Sequence, residues 1–141
     1  MSETVHATCV AIGGRAVLLV GASGRGKSDL ALRLIDRGAR LVSDDYTELR
    51  AEGSRLRARA PSPIAGKIEV RGLGIVALEP LVDVPVCLVV DLDAPPVRLP
   101  EAAAPRTVAG REVPAVALAA LEASAPIKVE QALLLFGLPP A

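Results

Sequence analysis

The sequence predicts an α/β fold in a single domain of residues 1–141. Three observations predict it: short apolar runs that are typical of strands, two segments with helical patterning, and a glycine-rich loop that joins a strand to a helix. The chain is 51% apolar, with one Phe, one Tyr and no Trp. We therefore expect a buried core that is built from Ala, Val, Leu and Ile.

The N-terminal elements are predicted from apolar runs and the glycines that follow them. Strands are expected at residues 5–12 and 16–20, with a hairpin turn at the glycine pair between them. A helix of about three turns follows in KSDLALRLIDRG, where Gly38 stands at the expected C-terminal cap. The run RLVSDD predicts a further strand that ends on Asp44 and Asp45.

The remaining residues predict a second hairpin, further strands and a C-terminal helix. TELRAEGSRLRARA turns at Gly53, KIEVRGLGIVAL holds two short apolar stretches, VPVCLVVDLD is strand-like, and APPVRLPEAAAP reads as a loop. In SAPIKVEQALLLFG we expect Ser124 as the N-cap, Pro126 in the first turn and Gly137 at the end of the helix. This helix has an apolar face that could serve core packing, assembly or partner docking.

Composition and charge exclude several classes of function. Sixteen basic and sixteen acidic residues give a formal net charge of zero, so we expect neither a nucleic-acid partner nor an anionic membrane partner. No apolar run approaches the roughly 18–20 residues that span a bilayer, and the first residues lack the pattern of a signal peptide. A cytoplasmic location is therefore expected, with Cys9 and Cys87 as buried thiols rather than a disulfide.

The stretch GASGRGKS matches the phosphate-loop pattern G-x-x-x-x-G-K-[ST], directly after an apolar strand and before a helix. Glycines let backbone N–H groups turn towards phosphates, and the helix N-terminus favours the same anion. Lys27 is expected to reach the β- and γ-phosphates, and Ser28 to ligate Mg²⁺. The predicted nucleotide-binding residues are Gly21, Ala22, Ser23, Gly24, Arg25, Gly26, Lys27 and Ser28.

Two places could supply the acid that holds the metal ion. Asp91 ends the apolar run VCLVVD, whereas Asp44 and Asp45 follow the helix directly. Adjacent carboxylates on a strand point to opposite faces, so one acid could lie near the metal while the other acts as a general base. Two acids that merely cap a strand are the alternative.

Two further polar positions are candidates. Glu69 and Arg71 alternate onto one strand face just before Gly72 and Gly74, so Glu69 could be a metal ligand beside a flexible turn. A charged pair on a strand edge is the simpler interpretation. His6 is the only histidine, and alone it could be an incidental strand residue.

Together these segments resemble the catalytic domain of HPr kinase/phosphorylase over residues 5–78. The resemblance rests on His6, the glycine-rich loop, the acid pair and a match to the family signature Glu-Ile-Arg-Gly-Leu-Gly, which here reads Glu69, Val70, Arg71, Gly72, Leu73 and Gly74. It implies a P-loop core related to that of phosphoenolpyruvate carboxykinase, with a mixed, largely antiparallel sheet and helices. The hairpin signals agree with such a sheet.

The resemblance implies a protein serine kinase that uses ATP and Mg²⁺ to phosphorylate an HPr-type phosphocarrier protein of the sugar phosphotransferase system. In that reading Asp45 is the general base, Asp44 supports the metal, and Ser28 and Glu69 bind Mg²⁺. His6 forms a hydrogen bond near the base or the γ-phosphate, and Lys27 neutralises charge on the transferred phosphoryl group. Family members commonly assemble as hexamers, so a homo-oligomer is possible.

Three departures from longer family members shape this expectation. His6 lies almost at the start, so the family's usual N-terminal domain is expected to be absent. After the signature no arginine precedes Arg98, and VPAVALAALEASAPIKVEQ contains none where the family has Pro-Val-Arg-Pro-Gly-Arg. We therefore expect the kinase reaction and leave phosphorolysis open. The alternatives are a small P-loop NTPase or small-molecule kinase that uses Asp91 as its metal acid, and a nucleotide-binding regulatory module without chemistry.

Overall fold

The computed structural model describes residues 2–140, which form eleven strands and two α-helices. The strands are β1 (Ser2–Val5), β2 (Ala7–Ile12), β3 (Arg15–Val20), β4 (Arg40–Ser43), β5 (Thr47–Glu52), β6 (Arg55–Arg59), β7 (Lys67–Val70), β8 (Gly74–Ala77), β9 (Val84–Asp91), β10 (Ala104–Val108) and β11 (Arg111–Ala117). The helices are α1 (Lys27–Asp36) and α2 (Ala125–Phe136), and a short 3₁₀ turn spans Ser62–Ile64. Among these described residues no helix is long and apolar enough to cross a membrane.

Nine of the strands form one sheet, in which β9 has the most neighbours. The order β1-β5-β6-β9-β3-β2-β4 is extended by β11, which also pairs with β9, and by β10 beyond it. Only the pairs β3–β9 and β9–β11 are parallel, while β7 and β8 form a separate antiparallel hairpin. The expected mixed α/β fold with a mostly antiparallel sheet is confirmed.

The first hairpin follows the sequence prediction, with one difference. β2 and β3 pair from Ala7↔Val20 to Ile12↔Arg15, and the turn between them uses positive φ at both Gly13 and Gly14. Two consecutive residues with positive φ produce the tight turn that suits twisted antiparallel strands. The predicted strand of residues 5–12, however, is divided at His6, because β1 pairs with β5 whereas β2 pairs with β3 and β4.

Helix α1 ends as the sequence predicts. Gly38 has φ 110°, and its N–H donates to the carbonyl of Ile35 while that of Ala39 donates to Leu34, each at 3.0 Å. These two bonds satisfy carbonyls that the last helical turn leaves free, and the backbone at Gly38 would strain any residue with a Cβ. The helix packs through Leu30, Ala31 and Leu34, which are buried.

The core lies on both faces of the sheet. Along β3, Val17 and Leu19 face the cluster that includes both helices, whereas Leu18 faces a second cluster with residues of β5 and β6. This alternation explains why β3 is apolar at every central position. Cys9 and Cys87 are buried free thiols, as expected, and burial raises the pKa of Cys9 well above its ordinary value.

The C-terminal third contains a strand pair that the sequence did not reveal. β10 and β11 pair antiparallel with Pro105 opposite Pro114, and β10 is largely exposed at the sheet edge, where proline is tolerated. Helix α2 is confirmed: Ser124 precedes it, although the hydroxyl of Ser124 forms no capping bond. At its end Arg15 donates to the carbonyls of Leu133 at 3.2 Å and Leu138 at 2.7 Å, which ties α2 to the first hairpin.

Candidate active site

The glycine-rich loop connects β3 to α1 and has the backbone of an anion site. Gly24 and Gly26 have φ values of 86° and 90°, which favour glycine strongly. Gly26 is the N-cap of α1, and its carbonyl accepts the first helical bond, from Leu30 at 2.9 Å. The N–H groups of the first helical turn have no partner within the helix and point to the loop. This end of α1 therefore favours a bound anion.

Lys27, the first residue of α1, is buried, and its ammonium group lies inside the loop. Its Nζ donates to the carbonyl of Gly21 at 2.7 Å and to that of Ala22 at 3.2 Å. The positively charged ammonium group of Lys27 therefore has two neutral carbonyl oxygens as its hydrogen-bond partners. The ammonium group can exchange these carbonyls for phosphate oxygens without leaving the loop.

Asp44 connects three separate segments of the chain. Its Oδ1 accepts hydrogen bonds from Ser28 at 2.5 Å and from Thr8 at 3.2 Å, and its Oδ2 accepts the backbone N–H of Glu69 at 3.0 Å. The residue is 8% exposed and lies just after β4. The carboxylate thereby joins the start of α1, strand β2 and the β7–β8 hairpin.

The Asp45 carboxylate has a different partner from that of Asp44, but strand alternation does not explain this, because neither residue belongs to a strand. β4 ends at Ser43, and Asp45 has φ 68°, a left-handed conformation that few residues other than glycine adopt. Its Oδ1 lies 2.9 Å from Nε2 of His6. An ionised carboxylate can only accept, so Nε2 carries the proton in this pair. The centroids of the His6 and Tyr46 rings are 5.2 Å apart.

The β7–β8 hairpin is fixed at its base and exposed at its tip. Ile68 is fully buried, whereas the side chain of Glu69 is exposed and Leu73 is 81% exposed. The expected alternation of Glu69 and Arg71 on one strand face is wrong, because β7 ends at Val70 and Arg71 lies in the turn. Gly72 and Gly74 have positive φ and close that turn.

Asp91 has both carboxylate oxygens engaged within the chain. Oδ1 accepts the N–H groups of Asp93 at 2.8 Å and Ala94 at 3.1 Å, and Oδ2 accepts Arg106 at 3.1 Å. Partial burial alone would raise the pKa of Asp91, but these backbone hydrogen bonds and the positive charge of Arg106 together hold it below its ordinary value. Asp91 thus shapes the turn after β9.

Two residues at the site were not singled out from the sequence. Asp93 accepts the N–H of Ala22 at 2.9 Å and pairs with Arg25 at 3.0 Å, so it anchors the glycine-rich loop. Thr8 contacts both acids of the pair. The only signals were a second acid in the run DLD and one hydroxyl in the otherwise apolar strand ATCVAI.

A cavity of about 490 Å³ opens beside the loop, and the residues that line it include His6, Gly21, Ala22, Asp91, Asp93 and Arg106. The Ser28 hydroxyl and the Asp44 carboxylate, which do not line this cavity, are oxygen donors of the kind that Mg²⁺ prefers. Within residues 2–140 no cluster of three or more His, Cys, Asp or Glu side chains is arranged to hold a metal ion. These few oxygen atoms suit a cation whose other ligands are phosphate oxygens.

Most of these groups lie within a stretch of the chain that matches a known family. The family model described as the HPr Serine kinase C-terminal domain matches residues 1–83, more than half of the chain. The chain belongs to this family. The matched part contains His6, the glycine-rich loop, the acid pair and the β7–β8 hairpin, while β9 and everything after it lie outside the match.

Two of the curated relatives of this chain are longer proteins. An HPr kinase/phosphorylase of Caldanaerobacter subterraneus is 47% identical over 79 residues, which are 55% of this chain and 26% of the relative. One from Bacillus pumilus is 48% identical over 76 residues, or 53% and 24% of the two chains. The chain thus spans about a quarter of the length of these relatives. The solved structure of an HPr(Ser) kinase/phosphatase from Coxiella burnetii matches 92% of both chains, with a TM-score of 0.79 and 29% identity.

Proposed function

We propose that residues 1–141 act as one kinase domain, which transfers the γ-phosphoryl group of ATP to a serine of an HPr-type phosphocarrier protein. The observation that carries this proposal is the division of the acid pair. Asp44 faces the start of α1 through Ser28, while Asp45 faces outward and pairs with His6. One carboxylate is thus available to the nucleotide side of the site and the other to an acceptor.

We assign residues 21–28 as the P-loop. The left-handed glycines and the free N–H groups at the start of α1 support this assignment, because both favour a bound phosphate. Lys27 is already within the loop, so binding requires only that Nζ exchange the carbonyls of Gly21 and Ala22 for β- and γ-phosphate oxygens. Asp93 would hold the start of the loop during this exchange.

We assign Ser28 and Glu69 as ligands of Mg²⁺, with Asp44 as the group that orients them. Asp44 accepts both the hydroxyl of Ser28 and the backbone N–H of Glu69, so one carboxylate sets the positions of both residues. Bound Mg²⁺ supplies positive charge that offsets the negative charge of the phosphates. The remaining positions around the ion would come from phosphate and water oxygens.

We assign Asp45 as the general base. The serine hydroxyl gives its proton to the Asp45 carboxylate, its oxygen forms a bond to the γ-phosphorus, and the bond from that phosphorus to ADP breaks. His6 orients the Asp45 carboxylate through the 2.9 Å hydrogen bond from Nε2 to Oδ1. The side chains of Asp45 and His6 are 56% and 38% exposed, which leaves room for the surface of a protein acceptor.

The alternative of an NTPase with Asp91 as the metal acid is not favoured. Both oxygens of Asp91 already accept hydrogen bonds from its own turn and from Arg106, whereas Asp44 directly contacts Ser28. A regulatory module without chemistry is not favoured either, because Asp45 presents an exposed carboxylate beside His6, where an acceptor could reach it.

The experiment that separates these functions follows the fate of the γ-phosphoryl group. The purified chain is incubated with Mg-ATP alone, with HPr, and with an HPr variant whose acceptor serine is replaced by alanine. We expect phosphoserine only in wild-type HPr and little phosphate release without an acceptor. Rapid hydrolysis that is indifferent to HPr would indicate an NTPase, and nucleotide binding without either product would indicate a regulatory module.

A further inference from the structure

We infer that Thr8 is a positioning residue that sets the two acids of the site relative to one another. The expected effect of Thr8 on the reaction rests on the proposed function, whereas its role as a bridge between the two acids rests only on the hydrogen bonds. Thr8 is the second residue of β2 and is fully buried. Its hydroxyl is the one side-chain group that forms hydrogen bonds to both members of the acid pair among the described residues.

The two bonds of the hydroxyl use its single proton and one lone pair. Oγ1 lies 3.2 Å from Oδ1 of Asp44, which can only accept when ionised, so Thr8 donates there. The backbone N–H of Asp45 donates to the same Oγ1 at 3.0 Å. Because one hydroxyl bridges the two residues, the Asp44 carboxylate and the Asp45 backbone cannot move independently.

Asp45 needs such a restraint. Its φ of 68° lies in the left-handed region, which aspartate adopts more readily than most residues but still infrequently. Its side chain is more than half exposed, so packing does little to fix it. The turn has a further restraint in the bond from the N–H of Tyr46 to the carbonyl of Asp44 at 2.8 Å. Thr8 accepts the hydrogen bond from the backbone N–H of Asp45 itself. By fixing this backbone, it orients the Asp45 carboxylate towards His6.

The test compares Thr8→Val, which has nearly the same shape but no hydroxyl, with Thr8→Ser, which keeps the hydroxyl. Thr8→Ala serves as a second variant without the hydroxyl where valine impairs folding. Thr47→Val is the matched control, because Thr47 is also fully buried and its hydroxyl donates to the carbonyl of Ala7 at 2.8 Å rather than to either acid. Each variant is measured for hydrogen exchange at the Asp45 amide, for kcat and KM with HPr, and for Mg-ATP affinity.

We expect Thr8→Val and Thr8→Ala to expose the Asp45 amide to exchange and to lower kcat by about 10- to 100-fold, as removal of groups that orient a reactive residue does. The affinity for Mg-ATP should change little, and Thr8→Ser should keep kcat near the wild-type value. Thr47→Val should keep the wild-type exchange at the Asp45 amide and the wild-type kcat. A wild-type kcat in the valine and alanine variants would overturn the positioning role.

If the wild-type chain transfers nothing to HPr, the proposed function fails and the exchange measurement decides the inference alone. Faster exchange at Asp45 in Thr8→Val, but not in Thr47→Val, would then uphold the bridge between the acids. Equal exchange in both variants would overturn it.

Discussion

Ser28 donates a hydrogen bond to Asp44 across 2.5 Å, and this bond joins the first turn of α1 to the end of β4. The two residues are 16 positions apart, and α1 lies between them. Because Asp44 is buried, the bond also satisfies a carboxylate that water reaches poorly. The same contact therefore serves stability and, in the proposed kinase, the geometry of the metal ligands.

Ser28→Ala should lower the stability of the domain and disturb the geometry of the metal ligands. It removes one of three donors to the buried Asp44 carboxylate, and we expect the free energy of unfolding to fall by about 1–3 kcal/mol. Phosphoryl transfer should also require more Mg²⁺ for half-maximal rate. Urea unfolding and a Mg²⁺ titration of the rate measure these effects, and Ser28→Thr, which keeps the hydroxyl, is the control. An unchanged Mg²⁺ dependence of the rate in Ser28→Ala would mean that Ser28 is not a ligand of the metal ion.

Lys27→Ala should abolish tight nucleotide binding, since the Lys27 ammonium group is the positive charge that lies buried inside the loop, where the phosphates would bind. Isothermal titration with Mg-ATP measures the affinity. Lys27→Ala leaves the carbonyls of Gly21 and Ala22 without this donor, so circular dichroism should be recorded to establish that the variant is folded. A folded variant with wild-type affinity would contradict the assignment of residues 21–28 as a P-loop.

Asp93→Ala should loosen the glycine-rich loop without unfolding the domain. The variant loses the bond to the N–H of Ala22, and we expect faster hydrogen exchange at that amide. The ion pair of Asp93 with Arg25 is half exposed, so its loss should cost less than about 1 kcal/mol of global stability. Asp93→Asn keeps an acceptor oxygen and should largely preserve the protection. Equal exchange in wild type and Asp93→Ala would mean that Asp93 does not anchor the loop.

Asp91→Asn should affect stability in a pH-dependent way and leave phosphoryl transfer intact. The pKa of Asp91 lies below its ordinary value, so folding favours the ionised form. Its contribution is present above the unfolded-state pKa of about 3.9 and is lost as the pH falls through the folded-state pKa. The difference in unfolding free energy between wild type and variant should therefore be largest near neutral pH and shrink below about pH 4. Loss of transfer in a stable Asp91→Asn protein would revive the NTPase alternative.

Much of the architecture follows from local sequence signals. The glycine pair at residues 13–14 fixes the first hairpin, and Gly38 ends α1 with a positive φ, because few other residues adopt these conformations. The glycine-rich loop is visible for the same reason. In each case the signal lies within a few residues of the structure that it specifies.

The remaining features depend on contacts between distant residues. β10 contains a proline and carries few buried side chains, so only its pairing with β11 makes it a strand. The hydrogen bond that Thr8 accepts from the backbone N–H of Asp45 spans 37 positions, and the bond that Asp93 accepts from the N–H of Ala22 spans 71 positions. Neither Thr8 nor Asp93 belongs to a pattern of its own in the sequence. The acid pair and the glycine-rich loop were therefore expected, but the residues that hold them were not.

The central claim, that Asp45 is the base of a protein serine kinase, is tested most directly by the intact mass of HPr after incubation with Mg-ATP. Wild-type chain should add one phosphoryl group to HPr. Asp45→Asn should lower the rate by about 10²- to 10⁴-fold, as expected for loss of a general base, while its affinity for Mg-ATP stays near the wild-type value. Phosphorylation of HPr by Asp45→Asn at the wild-type rate would contradict the account.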